Sequence, residues 1–189
     1  MLHRTNAMKV SNTRLPEVKI LEPDVFEDVR GFFYESFNKL NFQNQIKSAV
    51  EFLQDNHSKS SKGVLRGLHY QMRPKSQAKL ARVIRGQVFD VAVDIRKSSP
   101  TFGQWVGEFL SEENRKQIWI PEGFAHGFLT MSKTAEIIYK TTEFYDPKLE
   151  RCIRWDDKLI NIDWPIEGKP VLSQKDAVGE NLIDGDGFD

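Results

Sequence analysis

Hydrophobic and polar positions alternate with a period of two along most of this chain. In Val88-Phe-Asp-Val-Ala-Val-Asp-Ile95, residues Phe89, Val91, Val93 and Ile95 fall on one face, and Val88, Asp90, Ala92 and Asp94 on the other. That is the alternation of a strand, not of a helix. Similar β-rich runs occupy 25–37, 49–56, 64–71, 79–84, 104–110, 118–120, 124–130, 136–142 and 152–155. Arg85-Gly86-Gln87 and the stretch 97–102, with Ser98, Ser99 and Pro100, carry turn signals between neighbouring runs. Many short strands separated by Gly- and Pro-bearing turns predict an all-β sandwich or barrel. Helical signal is confined to 38–47, to Ser111-Glu112-Glu113, which reads as an N-cap with first-turn acids, and to one turn over 156–160. No repeat, linker or low-complexity tract divides the chain. It therefore reads as one domain, 1–189, with 1–16 and 180–189 as peripheral tails.

Composition narrows the class. Lys plus Arg number 27 and Asp plus Glu 27, a formal net charge of zero, which argues against bulk adhesion to nucleic acid or anionic lipid. Hydrophobic residues make up 39% and aromatics 11%, too much for a disordered chain. The single cysteine, Cys152, excludes an intramolecular disulfide framework. No run approaches the ~20 apolar residues of a membrane helix, and residues 1–18 lack the apolar core of a signal peptide. The expected location is the cytoplasm. Asp184-Gly-Asp-Gly-Phe-Asp189 resembles the opening of a calcium loop without its remaining ligands and reads as a frayed acidic end.

The candidate chemistry is sparse. Among the four histidines, His3 lies in the tail, and His69 and His126 lie in strand-like runs. In Val64-Leu-Arg-Gly-Leu-His-Tyr-Gln71, strict alternation puts Arg66 and His69 on opposite faces, while a bulge at Gly67 turns both inward. A histidine in an apolar strand is more often a satisfied core residue than a catalyst, and His126 carries the same ambiguity. His57, His69 and His126 offer three imidazoles, but no His-x-His pair or close ligand spacing marks a metal motif. Gly-x-Ser-x-Gly, Gly-x-Gly-x-x-Gly and phosphate-cradling motifs are missing too. Cofactor-free acid–base chemistry survives. A neutral histidine is a competent base near neutrality, and a tyrosine remains protonated there and can return a proton. Tyr139 alternates in phase with Ile137, which suits either such a donor or a buried phenol anchored by its hydroxyl.

Several long segments resemble the dTDP-4-dehydrorhamnose 3,5-epimerase family. They are Val64–Gln71, Val88–Arg96, Ser99-Pro-Thr-Phe-Gly103, Trp119-Ile-Pro-Glu-Gly-Phe-Ala-His-Gly-Phe128, Tyr139-Lys140, Tyr145-Asp-Pro147 and Ile162-Asp-Trp-Pro165. They stand in family order over about residues 17–178. The resemblance implies a cupin-type jelly roll, a homodimer with exchanged N-terminal strands, and neither metal nor organic cofactor. It implies inversion of carbons 3 and 5 of a dTDP-bound 4-keto-6-deoxy sugar through an enolate, on the route to dTDP-L-rhamnose.

Carried over by motif, His69 is the base, Asp176 its hydrogen-bond partner, Tyr139 the donor to the opposite face, and Lys79 the cation beside the enolate oxygen. Arg30 and Arg66 fit as diphosphate clamps, Glu35 as a contact to base or ribose across the dimer, and Tyr145 as a stacking surface for thymine. Gln54, Asp55, Asn56, His126, Glu150 and Lys175 take the remaining binding positions, while His57 and Tyr70 receive no role. The competing readings are a single-site epimerase or 3,4-ketoisomerase on the same scaffold, a metal-dependent cupin enzyme, and a non-catalytic sugar-nucleotide-binding barrel.

Overall fold

The computed structural model describes residues 8–188. In chain order the strands are β1 (Lys9–Asn12), β2 (Lys19–Glu22), β3 (Phe26–Asp28), β4 (Gly31–Phe33), β5 (Gln54–Ser61), β6 (Leu65–Gln71) and β7 (Lys79–Arg85). They continue as β8 (Gln87–Asp94), β9 (Trp105–Ser111), β10 (Gln117–Ile120), β11 (Phe124–Thr130), β12 (Thr134–Thr141) and β13 (Glu150–Cys152). Helix α1 (Lys39–Ile46) lies between β4 and β5, and α2 (Gln174–Ala177) follows β13. Two antiparallel sheets form, in the orders β1-β2-β10-β7-β12-β5 and β13-β6-β11-β8-β9, with β3 and β4 as a separate hairpin. The arrangement is a cupin-like jelly roll.

The period-two pattern explains the layers. Ala81, Val83, Ile118, Ile120, Ala135 and Ile137 of the first sheet meet Val88, Ala92, Val106, Leu110, Phe124 and Phe128 of the second. The opposite face of the second sheet buries Leu65, Leu68, Phe89, Val91 and Val93 under Ile160, Trp164, Leu182 and Phe188. Strand β8 is therefore covered on both faces, and all of its residues but Gln87 are buried. On the outer face of the first sheet, Phe42 of α1 meets Trp119 edge-on at 5.2 Å, beside Leu80 and Leu21.

Helix α1 forms where predicted, with Asn38 accepting from the Asn41 N–H at 3.1 Å and Lys47 closing it at φ 56°. Several expectations are corrected. Ser111–Glu113 starts no helix. Ser111 and Asn114 exchange backbone-to-side-chain bonds of 3.0 and 3.1 Å, and Arg115 at φ 52° turns the chain into β10. The 156–160 segment is a turn held by Asp157, whose Oδ1 accepts from the N–H groups of Leu159 and Ile160. The strand expected at 49–56 begins at Gln54, because Val50 and Phe52 pack against the α1 cluster instead.

The described parts of the ends, 8–16 and 180–188, are not peripheral either. Strand β1 pairs with β2, and Leu15 is fully buried. Leu182 and Phe188 join the core, and the Asp157 carboxylate accepts from the Leu182 N–H at 2.8 Å. Residues 1–7 and 189 lie outside the described residues. Among the described residues no helix is long and apolar enough to cross a membrane.

One irregularity positions the chemistry. His69 stands opposite His126 and Arg66 opposite Phe128, so β6 spends three steps where β11 spends two. This bulge turns Arg66 and His69 to the same inner face, as the Gly67 reading anticipated. Gly67 sits at φ 130°, and a Cβ there would lie 2.5 Å from the Gly127 Cα and 2.9 Å from the His126 carbonyl oxygen. Gly67→Ala is expected to cost at least about 2 kcal/mol through backbone clash and strain. Denaturant unfolding measures that cost, and wild-type stability in the variant would show that the bulge tolerates a side chain.

Candidate active site

The inner face of β6 and its neighbours open into a cavity of about 250 Å³, lined by His69, Tyr139, Lys79, Gln54, Asn56, Tyr145 and Glu150, with Tyr70, Gln71 and Gln77. The three central side chains reach it by strand phase. His69 comes from β6, Lys79 from the start of β7, and Tyr139 from β12 in register with Ala81 and Asn56. A larger groove of about 710 Å³ lies elsewhere, beside Arg14, Trp105 and Phe109, and its lining includes no histidine or tyrosine.

Asp176, on α2, lies behind His69. Its Oδ1 is 2.6 Å from His69 Nε2, its Oδ2 accepts from Ser173 Oγ at 2.7 Å, and the carboxylate is 3% exposed. Ser173 also caps α2, so the cap and the carboxylate are fixed together. Burial alone would raise the Asp176 carboxyl, but the bonds from His69 and Ser173 outweigh it and hold the group at about 2. An ionised carboxylate at Nε2 takes the ring N–H there and leaves the lone pair on Nδ1. Burial lowers the His69 pKa, helped by nearby Lys175 and Lys79 and opposed by Asp176. The imidazole is therefore kept neutral near pH 7.

Lys79 is buried, and its Nζ donates to the His69 carbonyl oxygen at 3.2 Å. Burial pushes it down to about 8, against the pull of Glu150 and Asp90. Burial likewise raises Tyr139, with Glu150 adding and Arg66 opposing, so its phenol holds its proton. A neutral base, a protonated phenol and a buried cation thus surround one small space.

The other expected site residues divide. Tyr145 donates to Glu150 Oε2 at 2.8 Å, Lys175 to Glu150 Oε1 at 2.6 Å, and Gln54 bridges the Tyr145 N–H and Asn56, so these five form one connected rim. Arg66 faces inward but is tied to Ser60 Oγ and the Lys59 carbonyl, and it does not line the cavity. His126 is buried beneath, with Nε2 at 2.9 and 3.0 Å from the two Asp90 oxygens.

Asp55 is not brought to the cavity. Its neighbours Gln54 and Asn56 point in, so strand phase sends it to the outer face, where it pairs with Lys140 at 2.9 Å. Arg30 sits exposed on the β3–β4 turn, paired with Asp28 at 2.5 Å, and Glu35 accepts from Asn38 and Asn41 near the start of α1. Neither reaches this chain's cavity.

Gln71 and Gln77 were missed. Gln71 holds the loop that carries Tyr145, donating to the Phe144 carbonyl and accepting from the Asp146 N–H, while Gln77 donates to the Glu143 carbonyl. The signal for Gln71 was its two-residue spacing from His69. Among the described residues, one set of potential metal donors gathers near the cavity: His69, Asp176 and Cys152.

A jelly roll that holds an imidazole, a phenol and a buried ammonium around one cavity carries the groups that proton transfer requires. A family model described as dTDP-4-dehydrorhamnose 3,5-epimerase matches residues 12–184. The curated enzyme of that name from Shigella flexneri is 60% identical over 181 residues, covering 96% of this chain and 99% of the relative. The Pseudomonas aeruginosa enzyme is 55% identical with the same coverage. The crystal structure of dTDP-6-deoxy-D-glucose-3,5-epimerase from Legionella pneumophila, in complex with dTDP-4-keto-L-rhamnose, superposes with a TM-score of 0.92 at 51% identity and covers 95% of each chain. The chain belongs to the dTDP-4-dehydrorhamnose 3,5-epimerase family and is an isomerase.

The pH profile follows from these groups. The base form of His69 persists below its ordinary value of 6.5, and Lys79 keeps its charge up to about 8. We expect kcat/KM to be level from below pH 6.5 to about 8, then to fall as Lys79 loses its proton. A profile still level at pH 10 would show that the reaction does not need Lys79 as a cation.

Proposed function

We propose that the protein inverts carbons 3 and 5 of dTDP-4-dehydro-6-deoxy-D-glucose to give dTDP-4-dehydro-L-rhamnose, without metal or organic cofactor. One observation carries the reading: the 2.6 Å contact between His69 and Asp176, directly behind a cavity that Tyr139 and Lys79 share. His69 Nδ1 takes the proton from the carbon beside the ketone, and the C–H electron pair delocalises onto the ketone oxygen. Lys79 stabilises that oxygen as it becomes an enolate. Tyr139 delivers its phenolic proton to the opposite face, which inverts the carbon. Proton exchange with solvent then returns both residues to their starting states. The second carbon flanks the same ketone and follows the same course.

Tyr145 supplies an aromatic face for the thymine ring, and Gln54, Asn56, Glu150 and Lys175 contact the nucleotide or sugar from the rim. Arg66 contributes positive charge toward the diphosphate. Arg30 and Glu35 act across a homodimer, where the β3–β4 hairpin of one copy completes the cavity of the other. The exposure of Val29 and Phe33 on that hairpin supports this, since apolar tips are normally covered. The cytoplasm is the compartment we assign, in keeping with a single unpaired cysteine.

Incubation of the keto sugar nucleotide with enzyme in heavy water, with chelator present, tests the chemistry by NMR. Deuterium is expected at carbons 3 and 5; label at neither refutes proton exchange, and label at one leaves a single-site epimerase. Tyr139→Phe is expected to cut completed inversion by about 10²-fold or more while initial exchange continues. Equal loss of both would instead give Tyr139 a role in binding or in proton removal.

The dimer has its own test. Arg30→Ala and His69→Ala are each expected to be inactive, yet mixing them by denaturation and refolding should restore roughly a quarter of wild-type activity. Half the dimers are then mixed, and one site in each is intact. A mixture as inactive as its parents would mean that Arg30 serves its own chain's cavity.

A further inference from the structure

We propose that His69, Asp176 and Cys152 form a binding site for a thiophilic divalent cation, zinc or cadmium in character, and that its occupation switches the enzyme off. Strand register brings the donors together. Cys152 of β13 is the cross-strand partner of His69 on β6, so thiol and imidazole project from the same face of the sheet. Helix α2 then lays Asp176 against both. Cys152 Sγ is 3.9 Å from Asp176 Oδ1, that oxygen is 2.6 Å from His69 Nε2, and all three ligand atoms lie within 4.8 Å of one another. Zinc bonds to sulfur, nitrogen and oxygen at about 2.3, 2.0 and 2.1 Å, so a tetrahedral ion needs donors roughly 3.3–3.7 Å apart. The observed separations bracket that range, and shifts of about an ångström would admit the ion. One imidazole, one thiol and one carboxylate make a donor set suited to a thiophilic metal, with a fourth position left for water.

Protons and charge balance. Asp176 is already an anion. Burial holds the Cys152 thiol protonated, up to about 12, in the resting protein; coordination forms the metal–sulfur bond and releases that one proton to solvent. Thiolate and carboxylate then neutralise the two positive charges of the ion. At His69 the metal takes the Nε2 lone pair, and the proton that sat on Nε2 moves through solvent to Nδ1. The lone pair that would have abstracted the sugar proton is thereby lost, and the 2.6 Å bond that oriented the ring is replaced by metal ligation. Inhibition through this tautomer change rests on the reading of His69 as the base, whereas binding of the ion does not. Cys152 itself has no part in the reaction.

Cadmium titration of the full-length enzyme tests both halves, read by the ultraviolet thiolate-to-cadmium charge-transfer band and by turnover. The band is expected in the wild type and absent in Cys152→Ser and Cys152→Ala, both of which should turn over normally in chelated buffer. Half-inhibition should need at least about tenfold more cadmium in the two variants, and chelator should restore wild-type activity. A wild type without the band, or variants inhibited as readily as the wild type, would overturn the site. A Cys152-dependent band with undiminished turnover would overturn the inhibition and leave ion binding standing. Failure of deuterium exchange in chelated buffer strikes the proposed proton exchange and leaves ion binding standing, so the two readings fail separately.

Discussion

The hydrogen bond between His69 and Asp176 joins a β-strand to a four-residue helix across 107 positions of sequence, and the chemistry of the cavity depends on it. Each partner was prepared by its own local structure. The bulge at Gly67 turns His69 inward, and the Ser173 cap fixes Asp176 at the start of α2. The bond then decides the imidazole tautomer. An ionised carboxylate on Nε2 forces the lone pair onto Nδ1, while burial keeps the ring neutral. Hydrogen bonding and desolvation pull the His69 pKa in opposite directions, and desolvation prevails.

Lys79 shows the same competition from the cationic side. A lysine in the barrel interior loses hydration, and its recorded bond is to the His69 carbonyl oxygen, with Glu150 and Asp90 acting at longer range. Such a cation is poorly satisfied at rest and has most to gain when negative charge develops beside it, the arrangement that favours a transition state over a ground state. Burial that would count against a purely structural lysine suits the role proposed for Lys79 beside an enolate.

The cavity wall is built in two grades of stiffness. His69, Tyr139 and Lys79 stand on strands paired on both sides within the two sheets. Tyr145 stands on a loop that Gln71 and Gln77 tie down through backbone carbonyls. The groups proposed to meet reacting atoms sit on the rigid scaffold, while the aromatic ring proposed to stack on the nucleotide base sits on a supported loop. On the neighbouring strand, Cys152 reaches the dyad only because β13 pairs with β6 in one particular register.

The alternation of residues along the chain was enough to predict an all-β fold and to mark Gly67 as the place for a bulge, because side-chain direction in a strand follows from the order of residues alone. The family motifs likewise named His69, Tyr139, Lys79 and Asp176. Strand β5 was half-missed because its Gln-Asp-Asn-His-Ser-Lys-Ser-Ser sequence carries no apolar stripe, and only its neighbour β12 makes it a strand. The acidic C-terminus read as frayed, yet Leu182 and Phe188 cover a sheet face that local sequence cannot reveal. Asp55 read as a ligand beside Gln54 and Asn56, but strand phase turns it to the outer face. That Cys152 stands beside the His69–Asp176 pair was settled by tertiary structure alone. Their proximity comes from sheet register and helix docking over long sequence separations, and no local pattern encodes such distances.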